Sequence, residues 1–317
     1  MYRISSRLQL KDFRLILAIQ QSGQLAIAAD HLGMTQPAAS RLLASIEATL
    51  GMKLFERHPK GMTPTPVGEI LSRNAVNLIR NLDATEREIA AANIGQAGTA
   101  RVGSVTGGAV GFVVPAIQEL KKTTSGAEIY VDVGPSDMLI NGLVQGDFDF
   151  VLSRIPAGTD ARQFDIKRGR TEVIHFLVRE NHPLSRLSSV SLGDLEGFEW
   201  VIQAPHTPMR RAVEEAFLAS GKALPPEIVN TTSLLVMIAY LNATDAIAPA
   251  SGEVAELLTR QQGECGMVAL SLADPIIINP YHVISLRGHV LNPLASRLRE
   301  LVCRKLSPGG GRDQSEA

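Results

Sequence analysis

The chain has 317 residues, 45% hydrophobic and 20% charged, which excludes a disordered or fibrous protein and, at this length, a single ordinary core. Its net charge of −1 hides an asymmetry: residues 1–80 carry ten Lys and Arg against five Asp and Glu, a net +5 that leaves −6 on the remainder. A basic module joined to an acidic module with another job is expected, and, with no run near the roughly 18 apolar residues of a membrane span and no apolar leader, a cytoplasmic protein with no membrane partner.

In chain order, residues 10–20 show helical spacing through Leu10, Phe13 and Leu17, and residues 24–32 place Leu25, Ala28, Ala29 and Leu32 on one helix face. Gly33 ends that helix. Thr35 is a suitable N-cap and Pro37 fits a first turn, so a third helix runs from there to about Leu50. Ala39, Leu42, Leu43, Ile46 and Leu50 point inward; Gln36, Ser40, Arg41 and Ser45 are left near the outer face. Gly51 closes the helix, and residues 52–66 form a short hairpin with Gly61 at its tip and a basic turn, Arg57-His58-Pro59-Lys60. Two helices meeting at a tight turn, followed by a basic hairpin, is the order a DNA reader needs: a base-reading helix and a phosphate-contacting wing.

From 67 to about 94 the pattern is helical again. A helix of about 40 Å at 1.5 Å per residue is long for one small domain and reads as a dimerising linker. Beyond Gly98 strand and helix alternate: strands at 100–105, 128–133 and 148–152 with helices at 111–122 and 138–145; then strands at 173–178, 200–202, 227–229 and 246–248 with helices at 209–220 and 233–241; finally a strand at 276–286 and a helix at 293–305. Such alternation predicts parallel strands with crossover helices, an α/β domain. The tail, 307–317, is expected to be disordered.

The stretches Ala28-Ala29-Asp30-His31-Leu32, Thr35-Gln36-Pro37-Ala38-Ala39-Ser40-Arg41, Ile46-Glu47, Leu50-Gly51, Leu54-Phe55-Glu56-Arg57 and Thr63-Pro64-Thr65 with Gly68 together resemble the LysR-type transcriptional regulators. The likeness covers nearly the whole chain. Leu25, where the family has an aromatic residue, and Ile27, where it has a small or polar one, are packing variants. The resemblance implies an α+β multidomain protein: a winged helix-turn-helix over 1–66, a linker helix over 67–97 making an antiparallel dimer contact, and a two-lobed α/β effector domain over 98–306 similar to periplasmic binding proteins. Lobe I takes 98–168 and 275–306, lobe II takes 169–274, and crossovers fall near 166–171 and 273–275. Members are commonly dimers or tetramers on double-stranded operator DNA, and a small molecule between the lobes alters DNA bending and contact with RNA polymerase. The sequence resembles most closely the sugar-responsive members, of the galactose-binding-protein regulator type, so a sugar or sugar acid is the expected effector, with an aromatic or other carboxylate open.

On this reading Gln36, Pro37, Ser40 and Arg41 enter the major groove, Arg41 able to read a guanine through two hydrogen bonds, while Thr35, Arg57 and Lys60 touch phosphate. In open α/β sheets the crevice lies at the carboxyl ends of the strands. That places Ser104, Thr106, Pro135, Ser136, Ser153, Arg154, His206, Thr207 and Pro249 around the effector, with Arg154 and His206 as readers of an acid or a hydroxyl-rich ligand. Each Ser or Thr could equally be a helix cap.

Other functions are weighed on the same residues. Gly107-Gly108-Ala109-Val110-Gly111 lacks the spacing and lysine of a phosphate loop, and neither a His-Glu metal motif nor a nucleophile elbow occurs, so no enzyme, cofactor or metal is expected. Cys265 and Cys303 are too few for a disulfide framework and too far apart in sequence for a metal site; a redox switch made by pairing them is the alternative to reduced, structural thiols. A solute-binding protein without DNA function is the other alternative, opposed by the basic first eighty residues.

Overall fold

Alanines at close-packing positions let the first three helices approach one another. In the computed structural model, which describes residues 7–59, 61–93, 98–225, 227–259 and 266–307, α1 (Leu10–Ser22), α2 (Leu25–His31) and α3 (Gln36–Leu50) enclose Leu15, Ile16, Ile19, Ala28, Ala29, Ala39, Leu43 and Ile46 in one apolar cluster. Gln9 and Asp12 cap α1 reciprocally, the backbone N–H of Gln9 donating to Asp12 Oδ2 at 2.7 Å. The hairpin of β1 (Phe55–His58) and β2 (Gly61–Pro64) adds Leu54 and Phe55 to the cluster. It is anchored at its far end, where Met62 N donates to Gly23 O at 2.7 Å.

Then comes α4 (Pro66–Asn93), 28 residues long. Its first turn lies so close to the hairpin that a Cβ on Gly68 would fall 2.0 Å from Leu54 O, which gives the Gly68 of the sequence motif a steric reason. These elements belong to a unit spanning 1–94, and the rest of the chain forms a second unit, 95–317.

The second unit contains β3 (Thr99–Ser104), then α5 (Thr106–Gly108), a π-helical turn Ala109–Val113 and α6 (Val114–Lys121) in unbroken succession, β4 (Glu128–Val133), α7 (Ser136–Gln145), β5 (Phe150–Ser153), β6 (Phe164–Arg179), β7 (Trp200–Ile202), α8 (Pro208–Ala219), β8 (Ile228–Asn230), α9 (Leu234–Ala243), β9 (Ala248–Ser251), α10 (Gly252–Thr259), β10 (Met267–Leu270), β11 (Ile276–Leu286) and α11 (Pro293–Leu306). β3 pairs in parallel with β4 and β5, and β7 with β8. The expected all-parallel pairing stops there: β6 is antiparallel to β9, β10 and β11, and β11 to β5.

The reason is that β6 and β11 traverse both halves of the unit side by side. Ile276–Ile278 pair with Glu172–Ile174, and Val283–Leu286 pair with Phe164–Lys167, with register shifts between. Tyr281 and Val283 pack with Ala100, Phe150 and α11, whereas Ile276 and Ile278 pack with Trp200, Phe217 and Ile247. The second crossing therefore falls inside β11, between Ile278 and Tyr281, and residues 273–275 precede it; residues 166–171 lie within β6.

Other differences are local. The helix expected from 111 starts at Thr106, because Gly107 and Gly108 lack the side chains that would strike Ser251 and Ser104. The strand expected at 246–248 is Ala248–Ser251, so Pro249 lies in a strand opposite Phe176 rather than in a loop. Neither α10 nor β10 was expected. The tail beyond Ser307, Lys60 and Cys265 lie outside the described residues.

Candidate functional site

The N-terminus of α3 is built by Thr35, whose Oγ1 accepts from Ala38 N at 3.4 Å. Capping takes a lone pair of that oxygen and leaves its O–H free to donate. Gln36, Pro37 and Arg41 are exposed beyond it, and Ser40 is half-buried. Arg57 Nη2, from the wing, donates to Ser40 Oγ at 3.1 Å, so the helix start and the wing share one face. Neither Arg41 nor Arg57 forms an ion pair among the described residues, and both are exposed.

Sequence reasoning missed the residue that positions the wing. Buried Glu47 Oε1 accepts from Leu54 N at 2.9 Å and Phe55 N at 3.4 Å, while Oε2 pairs with Lys53 Nζ at 2.6 Å. A carboxylate just ahead of the Leu50-Gly51 helix end was the available signal.

In the second unit the strand ends and helix starts surround a cavity of about 370 Å³, at the small end of the range for metabolite pockets. Of the expected residues, Thr106, Pro135, Ser136, Arg154, Thr207 and Pro249 line it. Ser104 and Ser153 do not: they end their strands with side chains turned inward, fully buried, donating to Val105 O at 2.9 Å and Arg154 O at 3.1 Å. His206 is exposed outside the lining, in a left-handed turn with φ 74°.

The lining also includes Glu172, Gln203, Thr231, Thr232, Ser233 and Ser251, which were not singled out. Three hydroxyl residues ahead of the apolar run of α9 were the legible signal; Ser233 caps that helix, accepting from Val236 N at 3.4 Å. Ser136 accepts from Arg154 N at 3.4 Å and Thr207 donates to Ala204 O at 3.0 Å. Among the described residues the Thr106 hydroxyl has no partner.

The floor of the cavity is ionic. Arg154 Nη2 pairs with Glu172 Oε2, Arg154 Nε donates to Asn279 O at 2.7 Å, and the guanidinium carbon lies 5.6 Å from the Tyr281 ring centre. Burial pushes the Glu172 carboxyl up, with Arg154 opposing. Burial, then the charges of Glu253 and Glu172, raise the Tyr281 hydroxyl far above the usual phenol range, and it donates to Glu253 Oε1 at 3.4 Å.

Burial likewise raises the Cys303 thiol, against the pull of Arg299 and Lys167. A reactive thiol needs the opposite shift.

Residues 10–69 match the family described as bacterial regulatory helix-turn-helix protein, lysR family, and residues 93–307 match the LysR substrate binding domain. The HTH-type transcriptional regulator GbpR of Rhizobium radiobacter is 37% identical over 257 residues, covering 80% of this chain and 85% of the relative. The GbpR of Azospirillum brasilense is 31% identical over 291 residues, covering 92% and 84%. A full-length OxyR variant from Pseudomonas aeruginosa shares the fold with a TM-score of 0.60 at 17% identity, covering 94% of each chain, and CbnR does so at 0.56 and 18%, covering 95% of this chain and 100% of the other. The chain belongs to the LysR family of DNA-binding transcriptional regulators, with a helix-turn-helix module followed by a substrate-binding domain.

Proposed function

We propose that this regulator works in the cytoplasm, grips operator DNA with Gln36, Pro37, Ser40 and Arg41 in the major groove and Arg57 and Lys60 on phosphate, and changes its operator complex when a sugar or sugar acid enters the cavity between the two halves of the substrate domain. The observation that carries the reading is the shared face of α3 and the wing, joined through Arg57 and Ser40, together with a cavity whose walls carry Thr106, Ser136, Thr207 and Thr231–Ser233. Similarity to two proteins named GbpR supports the sugar-responsive type. Homodimers form through α4, whose Ile70, Leu78, Leu82 and Ile89 are exposed, and dimers assemble into tetramers spanning neighbouring sites; contact with RNA polymerase follows from operator position. Among the described residues no helix is long and apolar enough to cross a membrane.

Footprinting of the purified full-length protein on the intergenic duplex beside its own gene tests this. Sequence-selective protection, altered in extent by a metabolite and insensitive to it after Thr106→Trp, is the expected result. Protection that no metabolite alters would sink the effector half of the reading, and absence of selective protection would sink the whole.

A further inference from the structure

Resting on the reading that the cavity takes the effector, we propose that it selects an uncharged, polyhydroxylated ligand over the matching carboxylate, and that Glu172 sets this choice. Arg154 and Glu172 are the charged side chains of the lining among the described residues, and they pair with each other.

The cation is already engaged with one carboxylate, although three of its five N–H donors remain. Its Nε is committed to Asn279 O at 2.7 Å, its Nη2 to Glu172, and its face to Tyr281. Both partners of the pair are largely hidden, with side-chain exposures of 13% and 5%. A carboxylate entering the cavity would meet a site of zero net charge, give up its hydration and find a carboxylate beside the guanidinium it approached. The helix starts supply partial positive charge, and of α5, α7, α8 and α9 only α9 has a side-chain cap, Ser233, so the discrimination against an acid rests on the carboxylate of Glu172.

A sugar hydroxyl has no such difficulty. Ser136 and Ser233 accept backbone N–H bonds and keep their own O–H to donate, Thr106 is unpartnered among the described residues, and Gln203 offers both an acceptor and donors. Neutral groups that both give and take hydrogen bonds match hydroxyls, which do the same.

Calorimetric titration of the full-length protein with paired probes tests the proposal: galactose with galacturonate, glucose with glucuronate, arabinose with arabinonate. Wild type is expected to bind at least one neutral sugar at least tenfold more tightly than its acid. Glu172→Gln leaves a net positive charge and is expected to tighten the acid at least tenfold, while Arg154→Gln combined with Glu172→Gln keeps the neutral preference. Melting each variant beforehand shows that it is folded, and the double variant decides if the single one is not.

An acid bound as tightly as its sugar by wild type overturns the charge argument and leaves the cavity as the effector site. Acid binding unchanged in folded Glu172→Gln overturns the role of Glu172. Silence across all pairs overturns the ligand class, and the footprint, which needs none of these probes, then judges the regulator reading separately.

Discussion

Arg57 Nη2 donates to Ser40 Oγ at 3.1 Å, a bond between residues 17 positions apart that joins the wing to the helix it flanks. On the proposed reading this exposed arginine, without an ion pair among the described residues, contacts a backbone phosphate, and phosphate contacts carry affinity without sequence information. Arg57→Ala is therefore expected to weaken binding to operator and random duplex alike and to lower the slope of log K against log salt by about one unit. Arg41→Ala is expected to cost about 1 to 3 kcal/mol at one base pair only. Fluorescence anisotropy across a salt series separates the two, and an unchanged slope for Arg57→Ala would remove it from the phosphate set.

Glu47 holds the root of the wing. Its Oε1 takes two backbone amides, Leu54 N and Phe55 N, where Leu54 is fully buried. Glu47→Ala leaves a buried N–H without an acceptor, at about 1 to 3 kcal/mol, whereas Glu47→Gln retains the accepting oxygen and loses less. Amide hydrogen exchange over residues 52–58 in the intact chain should speed up strongly for Ala and modestly for Gln. Equal protection in both variants would show that the hairpin is held without the Glu47 carboxylate.

Gly169 sits on β6 where the chain crosses between the two halves of the substrate domain. A Cβ there would fall 1.4 Å from the carbonyl oxygen of Tyr281 on β11, a backbone atom that cannot swing aside. Gly169→Ala is expected to destabilise the domain by more than about 4 kcal/mol, the range reserved for specific steric faults. Gly158→Ala, at φ 84° but with open space around it, should cost only about 1 to 2 kcal/mol. Denaturant unfolding followed by Trp200, the chain's single tryptophan, reads both; similar midpoints would mean that the strands part cheaply.

Gly169 also marks where the sequence stops being readable. The stretch Lys167-Arg168-Gly169-Arg170 has no alternation and was expected only as part of a crossover, yet it continues a 16-residue strand, because pairing with β11 supplies what local pattern lacks. Helix bounds were legible where a cap announced them, as Thr35 and Gly51 did for α3. At the site, hydroxyls ahead of helices were legible as types, since capping and ligand-facing positions coincide at a helix start. The partner of Arg154 was not, because Glu172 comes from another strand and only tertiary pairing brings it to the cavity floor. His206 was misplaced for a related reason: a left-handed residue at φ 74° sends its side chain out of a loop whose neighbour, Thr207, does line the cavity.

His182 supplies a pH test in the same half of the domain as Trp200. Its Nδ1 accepts from Leu184 N at 3.1 Å, so the ring proton sits on Nε2, which donates to Asp245 O at 3.0 Å. The ring is buried, 4.7 Å from the Phe198 centre. Burial holds its pKa below the ordinary value, with the Asp245 carbonyl and carboxylate opposing. The folded form thus prefers neutral imidazole: the contribution to stability is complete above the unfolded pKa of about 6.5 and is lost as pH falls from there through the folded value, at no more than about 1.4 kcal/mol per pH unit. Protonation also removes the acceptor for Leu184 N. Trp200-monitored unfolding midpoints should therefore drop between pH 7.5 and 5.5 in wild type. His182→Asn keeps an acceptor at that turn without a titrating ring, and it should show a smaller drop over the same interval; the same slope in both proteins would mean that other groups set the acid sensitivity of this half of the domain.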